Sequence, residues 1–216
     1  HPKLDLIVSI IETAGSAHWA QKTLDCVWRF FERLESESVE PDAAAEARLD
    51  ARLKRLSLPK PPFQPQGERE RMAGTYRVTE GGLVFGEATG SMMNGSPFPP
   101  EIERISLRFE PMACRLGLRL KDGAEASYRI PLDGSRCENP YDDAFAPMTK
   151  VLLSGSFEQP DCLVVRARWI ETCFEQEYCF RLEENGLAVS RRSVNASFAF
   201  LVGLVPGGCF AERIGG

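Results

Sequence analysis

The sequence predicts an α+β protein, in which a short strand-plus-two-helix segment precedes an all-β barrel of about eight antiparallel strands. Three observations predict this fold class. Before residue 57, apolar residues recur every three or four positions, as in amphipathic helices. Between residues 59 and 65, four prolines exclude a helix. After Ala73, apolar and polar residues alternate, which is typical of strands with one buried face.

The first apolar run, from Leu4 to Ile11, predicts a strand that is buried on both faces. Such a strand normally lies between partners, so the run leads us to expect that the chain is the tail of a larger protein. Ser16 is the expected N-cap of the first helix, and a second helix is expected from Asp42 to about Leu56. The apolar stripe of the first helix comprises Ala20, Leu24, Val27, Phe31 and Leu34.

These patterns divide the chain into four parts. Residues 1–57 hold the strand and the two helices, and residues 58–72 form a proline-rich linker. Residues 73–195 form the predicted barrel. Residues 196–216 form an apolar tail for which the pattern offers no role beyond packing across a barrel mouth.

The barrel strands are separated by short turns. Asp122-Gly123, Asp133-Gly134 and Asn185-Gly186 are typical hairpin turns that require positive φ. A closed meander is expected because closure removes exposed sheet edges. The predicted strands lie near residues 74–79, 102–109, 116–120, 126–130, 149–157, 163–169, 173–182 and 187–193.

Composition narrows the function classes. The formal charge of −5 argues against general nucleic-acid binding, and no apolar run is long enough to span a membrane. There are seven cysteines with no C-x-x-C pair, and only two histidines. This pattern predicts reduced, buried thiols in a cytoplasmic protein, with no metal site and no cofactor. For a larger parent protein, a periplasmic location is the alternative.

No catalytic residue can be assigned from motifs. Glu175 and Glu177 share one strand face, and the expected role of this pair is to form ion pairs with nearby arginines rather than to catalyse. Ser57 to Lys60 matches the S-x-x-K motif, but the prolines prevent the helix that this chemistry needs. His18 is expected to be structural. The turn-rich stretch from Gly90 to Pro100 is either a binding loop or a linker.

The opening Gly74-Thr75-Tyr76 resembles the first strand of lipocalin-type barrels. A barrel of this kind either holds one small apolar ligand or is filled by side chains. The predominance of Leu, Phe, Tyr and Trp at inward positions favours the filled interior.

The chain also resembles the C-terminal portion of bacterial serine hydrolases of the β-lactamase/penicillin-binding-protein-like family. The resemblance rests on the segment from His1 to Gly15, on the helix behind it, and on the late strands Trp169–Thr172 and Tyr178–Leu182. It implies a catalytic-domain remnant followed by an appended lipocalin-like domain, with the catalytic motifs upstream of His1. The partner would be the N-terminal catalytic domain, and this chain would be inactive alone. Lys22-Thr23-Leu24 lacks the glycine of the family's third motif.

Two main hypotheses follow. In the first, the barrel is an accessory domain that shapes the entrance to a hydrolase active site or mediates homo-oligomer contacts. In the second, the barrel binds a small apolar ligand, with residues 1–60 as an appendage. A purely structural interaction module is a third, weaker reading. Saturable binding of a fluorescent fatty acid separates the second hypothesis from the first.

Overall fold

The computed structural model describes residues 7–8, 17–32, 42–57, 60–64, 66–86, 98–141, 148–172, 175–194 and 207–214. The chain divides into two compact units, His1–Lys60 and Pro61–Gly216. The division falls within the stretch 58–72 that the proline pattern marks as a linker.

The first unit contains helices α1 (Ala17–Phe31) and α2 (Ala43–Leu53). Helix α2 begins where its capping residue predicts, because the Oδ1 atom of Asp42 accepts hydrogen bonds from the N–H groups of Ala44 and Ala45, both at 2.9 Å. Two residues of the predicted N-terminal strand are described, and both lie outside helix and strand, with Ile7 94% exposed. No strand of the described part of this unit lies beside them, and a buried strand requires such a partner. The rest of residues 4–12 and Ser16 fall outside the described residues.

The second unit is a nearly closed antiparallel barrel, which confirms the predicted fold class. A short helix, α3 (Arg69–Met72), precedes it. The ladder order is β4-β3-β2-β1-β10-β9-β8-β7-β6-β5, so the strands form a meander in which β10 joins the first four strands to the rest. The strands are β1 (Gly74–Leu83), β2 (Ile102–Glu110), β3 (Ala113–Leu120), β4 (Glu125–Pro131), β5 (Cys137–Pro140), β6 (Lys150–Gln159), β7 (Cys162–Trp169), β8 (Glu175–Leu182), β9 (Gly186–Ser193) and β10 (Gly207–Arg213).

The barrel has ten strands rather than the predicted number of about eight. The two strands that the sequence pattern did not predict are β5 and β10. Strand β5 is four residues long and carries Asn139 and Pro140, so it shows no alternation of apolar side chains. Strand β10 lies in the stretch interpreted as an apolar tail, where two glycines obscure the strand pattern. Residues 207–213 therefore do not cover a mouth; they pair with both β1 and β9 and complete the wall.

Strands β4 and β5 are the two ends of the ladder order, and the line between them is called the seam below. One side chain bridges it. The Oδ1 atom of Asn139 accepts the Arg129 N–H at 2.7 Å, and its Nδ2 donates to the carbonyl oxygens of Arg129 at 2.9 Å and Cys137 at 3.1 Å. The chains on the two sides of the seam also pack closely. A Cβ on Gly155 of β6 would lie 2.8 Å from Ile130 of β4 and 2.6 Å from Leu132, which follows that strand.

The interior is largely filled by side chains, as its residue types suggest. The largest side chains with less than 2% exposure include Trp169, Tyr76, Tyr178, Phe157 and Phe180. Helix α3 contributes to one end of this core, because Met72 is fully buried and its carbonyl oxygen accepts the Tyr76 hydroxyl at 2.8 Å.

Two of the three predicted hairpin glycines adopt positive φ, Gly123 at 92° and Gly134 at 78°. Gly186 does not. Its position instead requires the absence of a side chain, because a Cβ would lie 2.1 Å from the Ala211 carbonyl oxygen of β10.

Candidate functional site

A cavity of about 500 Å³ opens beside the seam, and we call it the seam cavity. One side is formed by β4 and the turn before it, and the other by the end of β5 and the residue that follows. The lining residues are Phe85, Pro99, Pro100, Leu118, Leu120, Asp122, Ala124, Glu125, Ala126, Ser127, Tyr128, Pro140 and Tyr141.

The local sequence explains why the wall opens at this point. Asn139 joins β5 to Arg129 through its side chain rather than through a backbone ladder. The next residue is Pro140, which has no N–H to donate to a neighbouring strand. Beyond the Asn139 bridge, Ala126 of β4 and Tyr141 therefore face each other across open space instead of pairing.

The back of the cavity is aromatic. The Phe85 ring centroid lies 4.8 Å from that of Tyr128, 4.9 Å from Tyr178 and 6.1 Å from Trp169. Tyr141 lies edge-on to Trp169 at 5.7 Å. Aromatic pairs in this range pack favourably, so the cavity has a firm apolar floor.

Hydrogen bonds from tyrosine hydroxyls hold the chain after β1 against this floor. The Tyr178 hydroxyl accepts the Gly86 N–H at 3.1 Å and donates to the Val84 carbonyl oxygen at 3.3 Å. The Tyr141 hydroxyl donates to the Phe85 carbonyl oxygen at 3.4 Å. Phe85 is thus fixed by its backbone as well as by its ring.

Charge is confined to the rim. Asp122 and Glu125 lie there and are exposed, and the Glu125 carboxylate is 3.7 Å from the Arg119 guanidinium. Asp122 accepts the Ala124 N–H at 3.0 Å, which shapes the β3–β4 turn. The entrance is therefore acidic and the interior apolar.

Two buried donors lie among the interior side chains. The Trp169 Nε1 and the Arg191 Nε have no hydrogen-bond partner among the described residues, and Arg191 is 8% exposed. Arg191 shares the inner face with Tyr178, its register partner. Neither residue lines the seam cavity.

The candidate acid–base pair is engaged in ion pairs, as its pattern indicates. Glu177 accepts from the Arg166 guanidinium at 2.6 Å and contacts Arg192, while Glu175 lies 3.6 Å from Arg168. The hydrogen bond to Glu177 raises the pKa of Arg192. These charges pair across β7, β8 and β9 on the outer face.

Of the other candidates, only the end of the turn-rich stretch 90–100 contributes to the seam cavity. The backbone of His18 lies in α1, and Ser57 and Lys60 lie beyond the end of α2. Of the turn-rich stretch 90–100, only residues 98–100 are described, and Pro99 and Pro100 line the cavity. In the part of the chain that the structure describes, no three His, Cys, Asp or Glu residues are grouped to hold a metal ion. Likewise, none of its helices combines the length and the hydropathy of a membrane span.

Sequence reasoning missed most of the cavity. Its lining combines residues of the stretch 118–128 with Phe85 after β1, Pro99 and Pro100 before β2, and Pro140 and Tyr141 at the end of β5. The usable signals are Pro140 after a buried asparagine and the interior rings of Tyr128 and Tyr141.

Comparison with known proteins gives structural matches alone. No family model and no curated protein matches the chain. A secretory abundant heat soluble protein of Ramazzottius varieornatus aligns with a TM-score of 0.49 and 8% identity, over 67% of this chain and 96% of that one. A Schistosoma mansoni fatty acid binding protein in complex with arachidonic acid aligns with 0.46 and 8%, over 69% and 100%. A fatty-acid-binding protein of Echinococcus granulosus aligns with 0.44 and 10%, over 68% and 99%.

The predicted relationship to β-lactamase-like serine hydrolases is wrong. The structural matches named here include a secretory abundant heat soluble protein, a fatty acid binding protein and a fluorescent protein rather than a serine hydrolase, and neither a family model nor a curated protein supports the resemblance. The segment that carried the resemblance, His1 to Gly15, shows no strand where it is described. The accessory-domain function and the missing catalytic partner are withdrawn with it.

Proposed function

We propose that the barrel binds one small, largely apolar ligand in the seam cavity. The observation that carries this proposal is the cavity itself. Its volume of about 500 Å³ lies within the range of roughly 300–1,000 Å³ that is usual for small-molecule sites. Eight of its lining residues are Phe, Tyr, Leu or Pro, so desolvation of an apolar ligand drives binding.

The charges at the rim favour a ligand whose exposed end is uncharged. Asp122 and Glu125 repel an anionic group held at the entrance, so the portion of the ligand that remains there is uncharged. The aromatic floor is already packed, so the ligand occupies the space between β4 and Tyr141 rather than the centre of the barrel.

The test is a titration with a fluorescent fatty acid and with its methyl ester. We expect saturable one-to-one binding of the ester, and binding of the acid that is no tighter. Ala126 lines the cavity and is half-buried, so Ala126→Phe fills the space and weakens binding at least about tenfold, or about 1.4 kcal/mol.

Ala188 provides the matched control. It is also a half-buried strand alanine, but it lies in β9 between the inward-facing Leu187 and Val189, and therefore points outward. Ala188→Phe should leave the affinity unchanged. If neither the fatty acid nor its methyl ester binds saturably, the proposed function is excluded. If Ala126→Phe and Ala188→Phe change the affinity equally, the seam cavity is excluded as the binding site.

A further inference from the structure

Two thiols meet on the outer wall of the barrel, away from the seam. Cys162 opens β7 and Cys179 lies in β8, and their sulfur atoms are 2.8 Å apart. Among the described cysteines, no other sulfur–sulfur contact of this kind is present. A disulfide bond is about 2.05 Å long, so roughly 0.8 Å separates this arrangement from a covalent bond.

The register shows how the two side chains reach each other. Cys162 pairs with Arg181 and Val164 pairs with Cys179, so the cysteines are diagonal neighbours on the same face. Diagonal pairs lie near the outer limit for a disulfide, and closing the bond therefore requires a small backbone shift. Cys162 directly follows the β6–β7 turn at Pro160 and Asp161, where the ladder register is already irregular and can absorb that shift.

The two sulfurs differ in access. Cys162 is fully buried, whereas Cys179 is partly exposed. Burial, together with the contact to Cys179, raises the pKa of the Cys162 thiol to about 12. A reagent in solution therefore meets Cys179 first, because the reactive species is an accessible thiolate.

We propose that Cys162 and Cys179 form a reversible intramolecular disulfide by exchange with a low-molecular-weight disulfide. The Cys179 thiolate attacks one sulfur of that disulfide, forms a mixed disulfide and releases the first small thiol. The Cys162 sulfur then loses its proton, attacks the Cys179 sulfur and releases the second small thiol. The two cysteines lose two electrons and two protons, which the reagent gains as two thiols.

The bond joins strands that are already hydrogen-bonded neighbours, so it leaves the topology unchanged. This bond would not be part of a larger disulfide framework, because the other described cysteines have no sulfur partner among the described residues. These cysteines are Cys26, Cys114, Cys137 and Cys209. Among the described cysteines, Cys162 and Cys179 are thus the one pair of thiols in contact.

The test exposes the whole chain to a series of oxidised-to-reduced glutathione ratios, blocks remaining thiols with iodoacetamide, and maps the peptides by mass. We expect a product lighter by two hydrogen atoms in which the peptides of residues 162 and 179 are joined, and which dithiothreitol reverses. Cys162→Ser should stop at a glutathione adduct on Cys179, and Cys179→Ser should give neither product at residue 162. Cys209→Ser should behave as the unsubstituted chain.

Native alkylation of the unsubstituted chain provides a second measurement that does not depend on the folding of a variant. Cys179 should react with iodoacetamide before Cys162, and its modification should abolish the joined peptide. Failure of that peptide to form at any glutathione ratio would overturn the proposal, as would a joined product linking Cys179 to any other cysteine.

Discussion

Asn139→Asp tests how the seam is held. The substitution keeps the oxygen that accepts the Arg129 N–H but removes the donor that serves the carbonyl oxygens of Arg129 and Cys137. Each lost hydrogen bond costs about 1 kcal/mol, and the carbonyls left facing a carboxylate add a comparable amount. We expect a loss of about 3 kcal/mol in the free energy of unfolding at pH 7. For a barrel of this size, that corresponds to a fall of about 6–12 °C in Tm.

The loss should depend on pH. Burial and the two facing carbonyl oxygens favour the neutral form of the introduced carboxyl, so its pKa is higher in the folded than in the unfolded chain. A group of this kind contributes its stability below the unfolded pKa of about 3.9 and loses it as the pH rises through the folded pKa. The difference from the unsubstituted protein should therefore be smallest below about pH 4 and grow as the pH rises.

Thermal unfolding followed by circular dichroism between pH 3 and pH 8 measures both effects. Asn185→Asp is the control, because Asn185 is exposed in the β8–β9 turn and its substitution should change Tm little. A Tm for Asn139→Asp within about 2 °C of the unsubstituted protein at pH 7 would refute the role of Asn139 in holding the seam. A large fall in Tm that is the same at every pH would refute the assignment of the donor atom.

Three further predictions concern the wall and the core. Gly186→Ala should destabilise the barrel by about 1–3 kcal/mol in urea unfolding, because the new methyl meets a β10 carbonyl oxygen, while Gly208→Ala, whose nearest neighbour is 3.6 Å away, should have little effect. Burial raises the pKa of Tyr76, so the free energy of unfolding should fall as the pH rises above about 10, where the phenol ionises first in the unfolded chain. A free energy of unfolding that stays constant at alkaline pH, and whose pH dependence Tyr76→Phe does not change, would contradict this. Glu177→Gln should cost about 1–3 kcal/mol in urea unfolding through its two arginine partners, and an unchanged midpoint would show that those ion pairs contribute nothing.

The barrel was predictable because its strands alternate strongly. Leu163, Val165, Ala167 and Trp169 are all fully buried and alternate with Arg166 and Arg168, which pair with carboxylates outside. Eight strands lie near their predicted positions. The two that were missed carry Pro140 or a glycine pair, and the ladder partners that hold them in place lie on other parts of the chain.

The seam cavity was less predictable than the strands, because it too depends on contacts between segments that are separate in the sequence. A cavity is an absence of packing between segments, so no single segment encodes it. Phe85, Ala126 and Tyr141 belong to three separate segments of the chain, and each is an ordinary apolar residue in its own segment. The cavity opens because Asn139 and Pro140 form no backbone hydrogen-bond ladder with β4.

The most direct test of ligand binding at the seam is a two-dimensional amide NMR titration with the methyl ester of a long-chain fatty acid. We expect saturable shifts concentrated at the amides of Leu118, Ala126 and Tyr141, which line the cavity. The outer-wall amides of Arg166 and Glu177 should remain unshifted. Shifts confined to α1, α2 or the outer wall, or no shift at a saturating concentration of the ester, would contradict ligand binding at the seam.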